Sequence, residues 1–367
     1  MSVKSLGRRI CDVFVLGTIH QFHTLTPGYT LFHLEGLLEA FGPDLIAVEI
    51  RPEDWAKGDL DRGPYEMGRV AVPWAQKKAV PVVPVDWWED GMPDEYRLAL
   101  AELQASAEGR SRLERVEERE KEALGLPFPE LCRTIERVHS PEVQARFRAV
   151  HDIEAAAFGE GPLNKYWRTR NRIMAERVTA AIRDRGARRA VAVVGCEHKY
   201  AIEDQLVKGP DIRLTRLDEF LKTPVALTPE QSLSFDRLFV FQKVDGPEAN
   251  THPDRADLTG VQPAIERLLA AGPGDPEVIY YRGLYHFLKR ELDLALRDFA
   301  RASQDEATLL LGRVRLWEIA RIRMGQVYDM RGERENALAE YGAVTVRGYT
   351  RVTLAKRFAA SPYVRSS

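Results

Sequence analysis

The chain has few cysteines and no long apolar run. Of its 367 residues only three are cysteine, Cys11, Cys132 and Cys196, and they are widely separated. This number and spacing predict neither a disulfide framework nor a zinc site built from paired Cys-x-x-Cys motifs. No stretch approaches the roughly 20 apolar residues that cross a bilayer, and the short apolar run near the N-terminus reads as a strand rather than a signal peptide. We therefore expect a cytoplasmic protein with no membrane partner.

An excess of charge of one sign is also lacking. The formal net charge is −2, and acidic and basic residues are spread along the whole chain. A protein that binds nucleic acid usually presents a basic surface to the phosphates, so we expect no nucleic-acid partner. The hydrophobic fraction of 44% and the length are typical of a globular protein with two or three domains.

Short apolar runs alternate with helical patterns in the first part of the chain, which is typical of an α/β domain with a mixed or mostly parallel sheet and flanking helices. The predicted strands are "DVFVLG" (12–17), "PDLIAVEI" (43–50), "VPVVPVDWW" (80–88), "RRAVAVVG" (188–195) and "DIRLTRL" (211–217). The third contains prolines, which donate no ladder hydrogen bond, so we expect it near a sheet edge or ending early. Residues 67–79 predict a helix interrupted by Pro73.

We assign this α/β domain to residues 1–222, with a long helical insertion at about 93–187. The charged segment 110–125 within the insertion, "RSRLERVEEREKEALG", is typical of a solvated helix face with i,i+4 ion pairs. Residues 223–262 are rich in Pro, Asp, Thr and Gly and predict a linker.

Residues 263–361 predict an all-α domain that resembles tetratricopeptide repeats. Gly283, Ala295, Phe299 and Ala302 match the repeat's packing positions, and a shift of about 42 residues reaches Gly325, Ala337 and Tyr341. An ordinary bundle of helical hairpins would give a similar pattern. Stacked repeats form concave grooves, so we expect a peptide or protein partner to bind here. The sequence does not determine the oligomeric state.

Polar residues stand at the ends of the predicted strands. His20 follows the first strand, Glu49 ends the second, Asp86 ends the third and His198 follows the fourth. Ligands of open α/β sheets bind outside the carboxyl ends of the strands, so these side chains are expected to share one rim. Both histidines close a Gly-x-x-His motif, "GTIH" and "GCEH", whose glycine would let the backbone turn sharply and approach a ligand.

Two neutral imidazoles and a carboxylate form a three-ligand set of the kind found in catalytic metal centres. The predicted ligands are His20, Glu49 and His198, and the ion would be divalent, of the manganese, zinc or cobalt class. The alternative is that each histidine only bonds a nearby carbonyl. Two histidines framed alike, beside a strand-end carboxylate, favour a functional role.

Four segments together resemble the TraB/PrgY family and its GumN and Tiki relatives, in the wider group that includes erythromycin esterases and ChaN-like proteins. They are "LGTIH", "PDLIAVEI", "TRNRIMAERV" and "VAVVGCEH", in the family's order, and the resemblance covers about residues 10–220. It implies that His20 and His198 are the family histidines, that Glu49 is the family acid, and that Arg170 and Asn171 form the polar pair facing the site. Cys196 and Glu197 depart from the small residues usual within the second motif.

This resemblance leaves the reaction open. Tiki-like members are described as divalent-metal proteases, erythromycin esterases are thought to use a histidine base without an obligatory metal, and PrgY-like proteins are linked to inhibition of peptide pheromones. We therefore expect a metal-dependent hydrolase of a peptide amide or ester bond, with Glu49, Arg170 and Asn171 as catalytic residues. The alternatives are a histidine-base esterase without metal and a binding protein without turnover.

Other residues near the rim have weaker assignments. Asp86 and Trp87 are predicted to contact substrate, together with an aromatic concentration that includes nearby tryptophans. His23 is a candidate accessory ligand, whereas His33 is expected on a helix surface or partly buried. A thiol-nucleophile role for Cys196 is the weaker option, since a free cysteine at a strand end commonly serves packing.

Overall fold

The computed structural model describes residues 10–310 and 314–364. The chain divides into two compact units, with the boundary between Leu227 and Thr228. In the described part of the chain, no helix is long and apolar enough to cross a membrane.

A five-stranded parallel sheet forms the centre of the first unit. Its strands are β1 (Cys11–Thr18), β2 (Leu45–Val48), β3 (Val82–Pro84), β4 (Arg189–Gly195) and β5 (Ile212–Leu214). The order across the sheet is β3-β2-β4-β1-β5, and every pairing is parallel. The predicted α/β class is confirmed, and the sheet is fully parallel rather than mixed. Because all strands run the same way, their carboxyl ends lie along one edge.

Strand β3 lies at the edge of the sheet and is only three residues long. Pro84 ends the strand, in agreement with the expectation drawn from its prolines. The helix predicted at 67–79 is also divided near Pro73. Met67–Ala71 forms a π-helical turn and the α-helix begins at Val72, because a proline without an N–H group is tolerated only in the first turn.

Helices cover both faces of the sheet. The helices of the first unit are α1 (Leu31–Phe41), α2 (Pro52–Ala56), α3 (Val72–Lys78), α4 (Met92–Ala105), α5 (Ala107–Leu124), α6 (Phe128–Leu131), α7 (Ile135–Val138), α8 (Pro141–Phe158), α9 (Lys165–Arg185), α10 (Cys196–Leu206) and α11 (Leu217–Phe220). The segment from α4 to α9 is the helical insertion that the sequence predicts at about 93–187.

Alternate residues of the strands enter two separate cores, as the two-residue period of a strand requires. Phe14 and Leu16 of β1 belong to the core on one face. Val13 and Val15 belong to the core on the other face, which also contains the apolar side of α9. The central strands are therefore apolar on both faces, the usual composition of a parallel sheet covered on both sides.

The second unit is largely helical. Its elements are α12 (Pro229–Asp245), α13 (Pro247–Thr251), α14 (Val261–Ala271), α15 (Pro276–Leu288), α16 (Leu292–Ala302), the two-residue strands β6 (Leu309–Leu310) and β7 (Val314–Arg315), α17 (Leu316–Met330), α18 (Arg334–Arg347) and α19 (Val352–Ala360). Much of the segment predicted as a linker, 223–262, is therefore helical. Val240 and Val244 of α12 are buried in the core of this unit.

Two helical hairpins of the second unit share one packing feature. A Cβ added at Gly283 of α15 would lie 2.7 Å from ring carbons of Phe299 in α16. A Cβ at Gly325 of α17 would likewise collide with the ring of Tyr341 in α18. Each glycine thus makes room for an aromatic ring of the partner helix, at the positions that the repeat pattern aligned. The unit is a helical region, and its resemblance to tetratricopeptide repeats stays a prediction.

Candidate functional site

Four chain segments bring polar side chains to the carboxyl edge of the sheet. His20 lies in a 3-10 turn directly after β1, and Glu49 directly follows β2. Asp86 lies two residues beyond β3, and His198 lies in the first turn of α10, which follows β4 without a loop. The shared rim predicted from the sequence is present because all of these strands are parallel.

Arg170 of α9 connects three of these elements. Its Nε donates to Asp86 Oδ1 at 2.6 Å and its Nη2 donates to Glu49 Oε1 at 2.8 Å. Its Nη1 lies 3.2 Å from His198 Nε2. Both carboxylates are buried, whereas 20% of the Arg170 side chain is exposed. A guanidinium has five N–H donors, so two of them are not used by these contacts and can face a ligand.

His198 is held in one orientation and one tautomer. Asn171 Nδ2 donates to the carbonyl of Trp167 at 2.8 Å, which fixes Asn171 Oδ1 as the acceptor for His198 Nδ1, also at 2.8 Å. The proton therefore lies on Nδ1, and Nε2 accepts from Arg170. The ring of Trp167 stacks on the imidazole, with centroids 4.4 Å apart. Burial, and then the charge of Arg170, lower the pKa of His198 well below its usual value, so the imidazole is neutral.

His20 has the opposite protonation state. Its Nδ1 lies 3.0 Å from Oε1 of Glu66, a fully buried carboxylate that also accepts from the Thr18 hydroxyl. Burial opposes a charge on His20. The hydrogen bond and charge of Glu66, with the charges of Glu49 and Glu197, outweigh burial and raise its pKa to about 9. The same contacts with His20 hold the pKa of Glu66 below its usual value despite burial. At neutral pH the pair is an imidazolium and a carboxylate.

Gly195 lies between the two imidazoles. A Cβ added to it would lie 2.7 Å from His20 Nε2 and 3.5 Å from His198 Cδ2, so the glycine is needed for space. Its N–H donates to Glu49 Oε2 at 2.7 Å. The glycine of the first motif, Gly17, is also a packing position, since its Cβ would lie 3.1 Å from Cα of Cys196. Neither glycine has a positive φ, so close packing rather than a sharp turn explains both.

The unusual backbone conformation in this region occurs at His20 rather than at either glycine. Its φ of +50° is in the left-handed region, which a residue with a Cβ adopts only at some energetic cost. The hydrogen bond to Glu66 and the close packing against Gly195 hold the ring of His20 in this position. Non-glycine residues in this conformation occur disproportionately at functional sites.

Several neighbouring residues have structural roles. Both ring nitrogens of His23 are used, because Nδ1 lies 2.7 Å from the Tyr29 carbonyl and Nε2 accepts from the Ile19 N–H at 3.1 Å. Burial lowers the pKa of His23 to about 4, so it is a neutral core residue rather than an accessory ligand. His33 is buried and caps helix α1 through its Nδ1, which accepts from the Thr30 N–H.

The tryptophan and cysteine candidates near the rim differ in what they contact. Trp88 is the tryptophan whose ring lies beside Arg170, with the guanidinium carbon 5.6 Å from the ring centroid. Trp87 is half-buried, and its backbone N–H donates to Asp86 Oδ1. Cys196 is buried, and burial raises the pKa of its thiol well above the usual value, which opposes a nucleophilic role. Glu197 is exposed.

Two of the three predicted metal ligands, Glu49 and His198, contact a cation of the protein itself. Arg170 contacts both Glu49 and His198, the other Glu49 oxygen accepts from Gly195, and Nδ1 of His20 is bonded to Glu66. Within residues 10–310 and 314–364, no three or more His, Cys, Asp or Glu side chains are grouped to hold a metal ion. A divalent ion at His20, Glu49 and His198 would therefore have to displace Arg170 from Glu49 and His198.

Sequence reasoning did not identify Glu66 or Trp167 as members of the site. Glu66 has helical backbone directly before the π-helical turn, one residue outside the helix predicted at 67–79, and Trp167 precedes the "TRNRIMAERV" segment by two residues. Comparison of the chain with protein-family models, curated proteins and solved structures finds no match.

Proposed function

We propose that the first unit is a hydrolase of a carbonyl compound, a peptide amide or an ester, in which the two histidines act as acid and base. The observation that carries the proposal is the pair of imidazoles on either side of Gly195, whose surroundings push their pKa values in opposite directions. Such a pair is the usual arrangement for acid–base chemistry near neutral pH. Glu66 and Asn171, each bonded to one imidazole, position the two rings.

His198 is the proposed base. It is neutral, its proton is on Nδ1, and its Nε2 carries the free electron pair that would take a proton from water. In the structure this nitrogen accepts from Arg170 Nη1. A water molecule would replace that contact, and Arg170 would remain in place through its bonds to Glu49 and Asp86.

His20 is the proposed acid. Its Nδ1 is held by Glu66, so the proton available for transfer is on Nε2, and 37% of the side chain is exposed. Water would add to the carbonyl carbon as His198 takes its proton, and the oxygen would gain the negative charge. The unused N–H groups of Arg170 would stabilise that charge. The bond to the leaving nitrogen or oxygen would then break as His20 donates its proton.

A test uses the full chain and a panel of simple esters and aminoacyl amides. Substitution of either histidine by glutamine is expected to lower kcat/KM about 10²- to 10⁴-fold, the usual contribution of acid–base catalysis. His252→Gln, at an exposed histidine of the second unit, is the matched control and should leave activity unchanged. Full activity in the His198→Gln variant would refute its role as base.

A divalent ion at His20, Glu49 and His198 remains the alternative that the sequence resemblance implies. One observation supports this alternative. Asn171 accepts a hydrogen bond from His198 Nδ1, as a second residue commonly does for a metal-bound imidazole. Arg170 would have to withdraw to admit the ion. Metal analysis of the purified protein and activity across manganese, zinc and cobalt test this alternative, since hydrolysis that needs one of these ions would favour it over acid–base catalysis.

We also propose that the second unit docks a peptide or protein partner, as tetratricopeptide-like repeats do. Supporting this proposal is the repeated fit of Gly283 against Phe299 and of Gly325 against Tyr341. A fragment beginning at Thr228 has its own core. It can be used as bait in a pull-down, with the first unit as the bait in a parallel control. Specific capture by this fragment would favour a docking role, and equal capture by both units would count against it.

A further inference from the structure

A cavity of about 550 Å³ lies in the first unit, between the start of α8, one side of α10 and the segment that follows β5. Its volume is within the range of small-molecule sites, roughly 300–1,000 Å³. Apolar walls are formed by Leu217, Leu221 and Pro224, and the polar side chains of Lys199 and His139 also line it. None of these residues has a role in the hydrolase proposed above.

Lys199 supplies a buried cation to this cavity. Only 6% of its side chain is exposed. Its Nζ donates to the carbonyl of Val15 at 2.9 Å and to the carboxylate of Glu203. An ammonium has three N–H donors, so the two acceptors recorded in the described part of the chain leave one donor for a ligand.

His139 supplies a second hydrogen-bonding group. Within the described residues, neither of its ring nitrogens has a hydrogen-bond partner, although both are buried. Burial, and then the charge of Lys199, lower its pKa well below the usual value, so the ring is neutral with one donor and one acceptor. His139 and Lys199 approach the same ring, since Phe14 lies 5.1 Å from the His139 centroid and 5.5 Å from Lys199 Nζ. Because buried polar groups normally have partners, a ligand that reaches this lining residue would satisfy a ring nitrogen that has none among the described residues.

The charges around the cavity are unevenly placed. The carboxylates of Glu136 and Asp218 are exposed, and Asp218 is paired with Arg216 at 3.1 Å. Lys222, at the outer side, donates to the carbonyl of Asp218. Exposed charges are screened by solvent and salt, whereas the buried Lys199 is not. The buried Lys199 can therefore attract an anionic group that takes the place of its present partner Glu203, and Leu217, Leu221 and Pro224 offer apolar contacts beside it.

We propose that this cavity binds a small organic carboxylate with an apolar body. The carboxylate would accept from Lys199 Nζ and from the N–H of His139, and it would replace Glu203 as the partner of the ammonium. The apolar body would lie against Leu217, Leu221 and Pro224.

The proposal is tested by titrating the full chain with hexanoate and, in parallel, with hexanamide. Binding of each probe is monitored through changes in the NMR chemical shifts of the protein. Hexanoate is expected to bind at least about tenfold more tightly, because a hydrogen bond to a charged group is stronger than a neutral one. Equal affinity for the two probes, or no binding of hexanoate at about 10 mM, would overturn the proposal.

Variants separate the roles of the two charged side chains. Lys199→Met should lower hexanoate affinity about tenfold or more and leave hexanamide affinity nearly unchanged. Glu203→Gln should raise hexanoate affinity, because the ammonium then lacks its competing carboxylate. Lys208→Met, at an exposed lysine two residues beyond α10, is the matched control and should change neither. Unchanged hexanoate affinity in a folded Lys199→Met protein would overturn the assignment, and the comparison of the two probes on the wild-type chain stays decisive if that variant does not fold.

Discussion

Replacing Glu66 by glutamine should remove most of the charge from His20 at neutral pH. Glu66 contributes both the hydrogen bond and the nearest negative charge that raise the pKa of His20 to about 9. Without them, burial acts on the imidazole with only the weaker effects of Glu49 and Glu197 against it. We expect the pKa of His20 in Glu66→Gln to fall to about 6.5 or lower, the value of an unperturbed histidine.

The consequence at pH 7 follows from these two values. A group with a pKa of about 9 is about 99% protonated at pH 7. A group with a pKa of about 6.5 is only about a quarter protonated at that pH. If the imidazolium of His20 is the acid, activity at pH 7 should fall about fourfold, and the loss of activity at high pH should begin near pH 6.5 instead of pH 9.

The assay is an NMR titration of the His20 ring in the wild type, in Glu66→Gln and in Glu130→Gln. Glu130 is exposed, so its substitution controls for the loss of one negative charge. Circular dichroism establishes whether Glu66→Gln remains folded, since the glutamate is fully buried. A pKa of His20 that is the same in Glu66→Gln as in the wild type would refute the reasoning.

Three further predictions concern the same rim. Asn171→Ala should lower kcat at least about tenfold and reduce the free energy of unfolding by about 1–3 kcal/mol, because Nδ1 of buried His198 loses its acceptor. Kinetic assays measure the first effect and urea unfolding the second. If neither quantity changes, Asn171 does not position His198. Gly195→Ala should displace His20, because the new methyl group would lie 2.7 Å from Nε2; its His20 resonances should shift, and wild-type resonances would contradict the packing. Because the pKa of His20 is raised in the folded state, its contribution to stability is present in full below about pH 6.5 and is lost as the pH rises through about 9. The free energies of unfolding of the wild type and of His20→Gln should therefore differ most at the low end of this pH range. A difference that does not change with pH would contradict the raised pKa.

The sheet was predictable because each central strand is a continuous apolar run, and such runs indicate strands buried on both faces. The edge position of β3 followed from Pro81 and Pro84. The segment 223–262 was misleading because its prolines suggested a connector, whereas Pro229 and Pro247 each begin a helix. Thr228 and Gln231 form a capping box around Pro229, a pattern that the sequence contains and that predicts a helix start.

The rim was predictable as a set of strand ends, but its internal contacts were not. In a parallel sheet the carboxyl ends of the strands lie along one edge. This places His20, Glu49, Asp86 and His198 at that edge, whatever the orientation of their side chains. The direction of Arg170 depends on the rotation of α9 about its axis, which packing determines. The partner of His20 was missed because Glu66 is 46 residues further along the chain and belongs to no motif and to none of the predicted elements. Which side chain orients which imidazole therefore required the folded structure.

The most direct test of the central claim is the protonation state of both histidines at pH 7, read from the ring ¹⁵N shifts of the wild-type chain. The account predicts that both nitrogens of His20 are protonated and that His198 is neutral, with its proton on Nδ1. A neutral His20, or a charged His198, would contradict the assignment of acid and base.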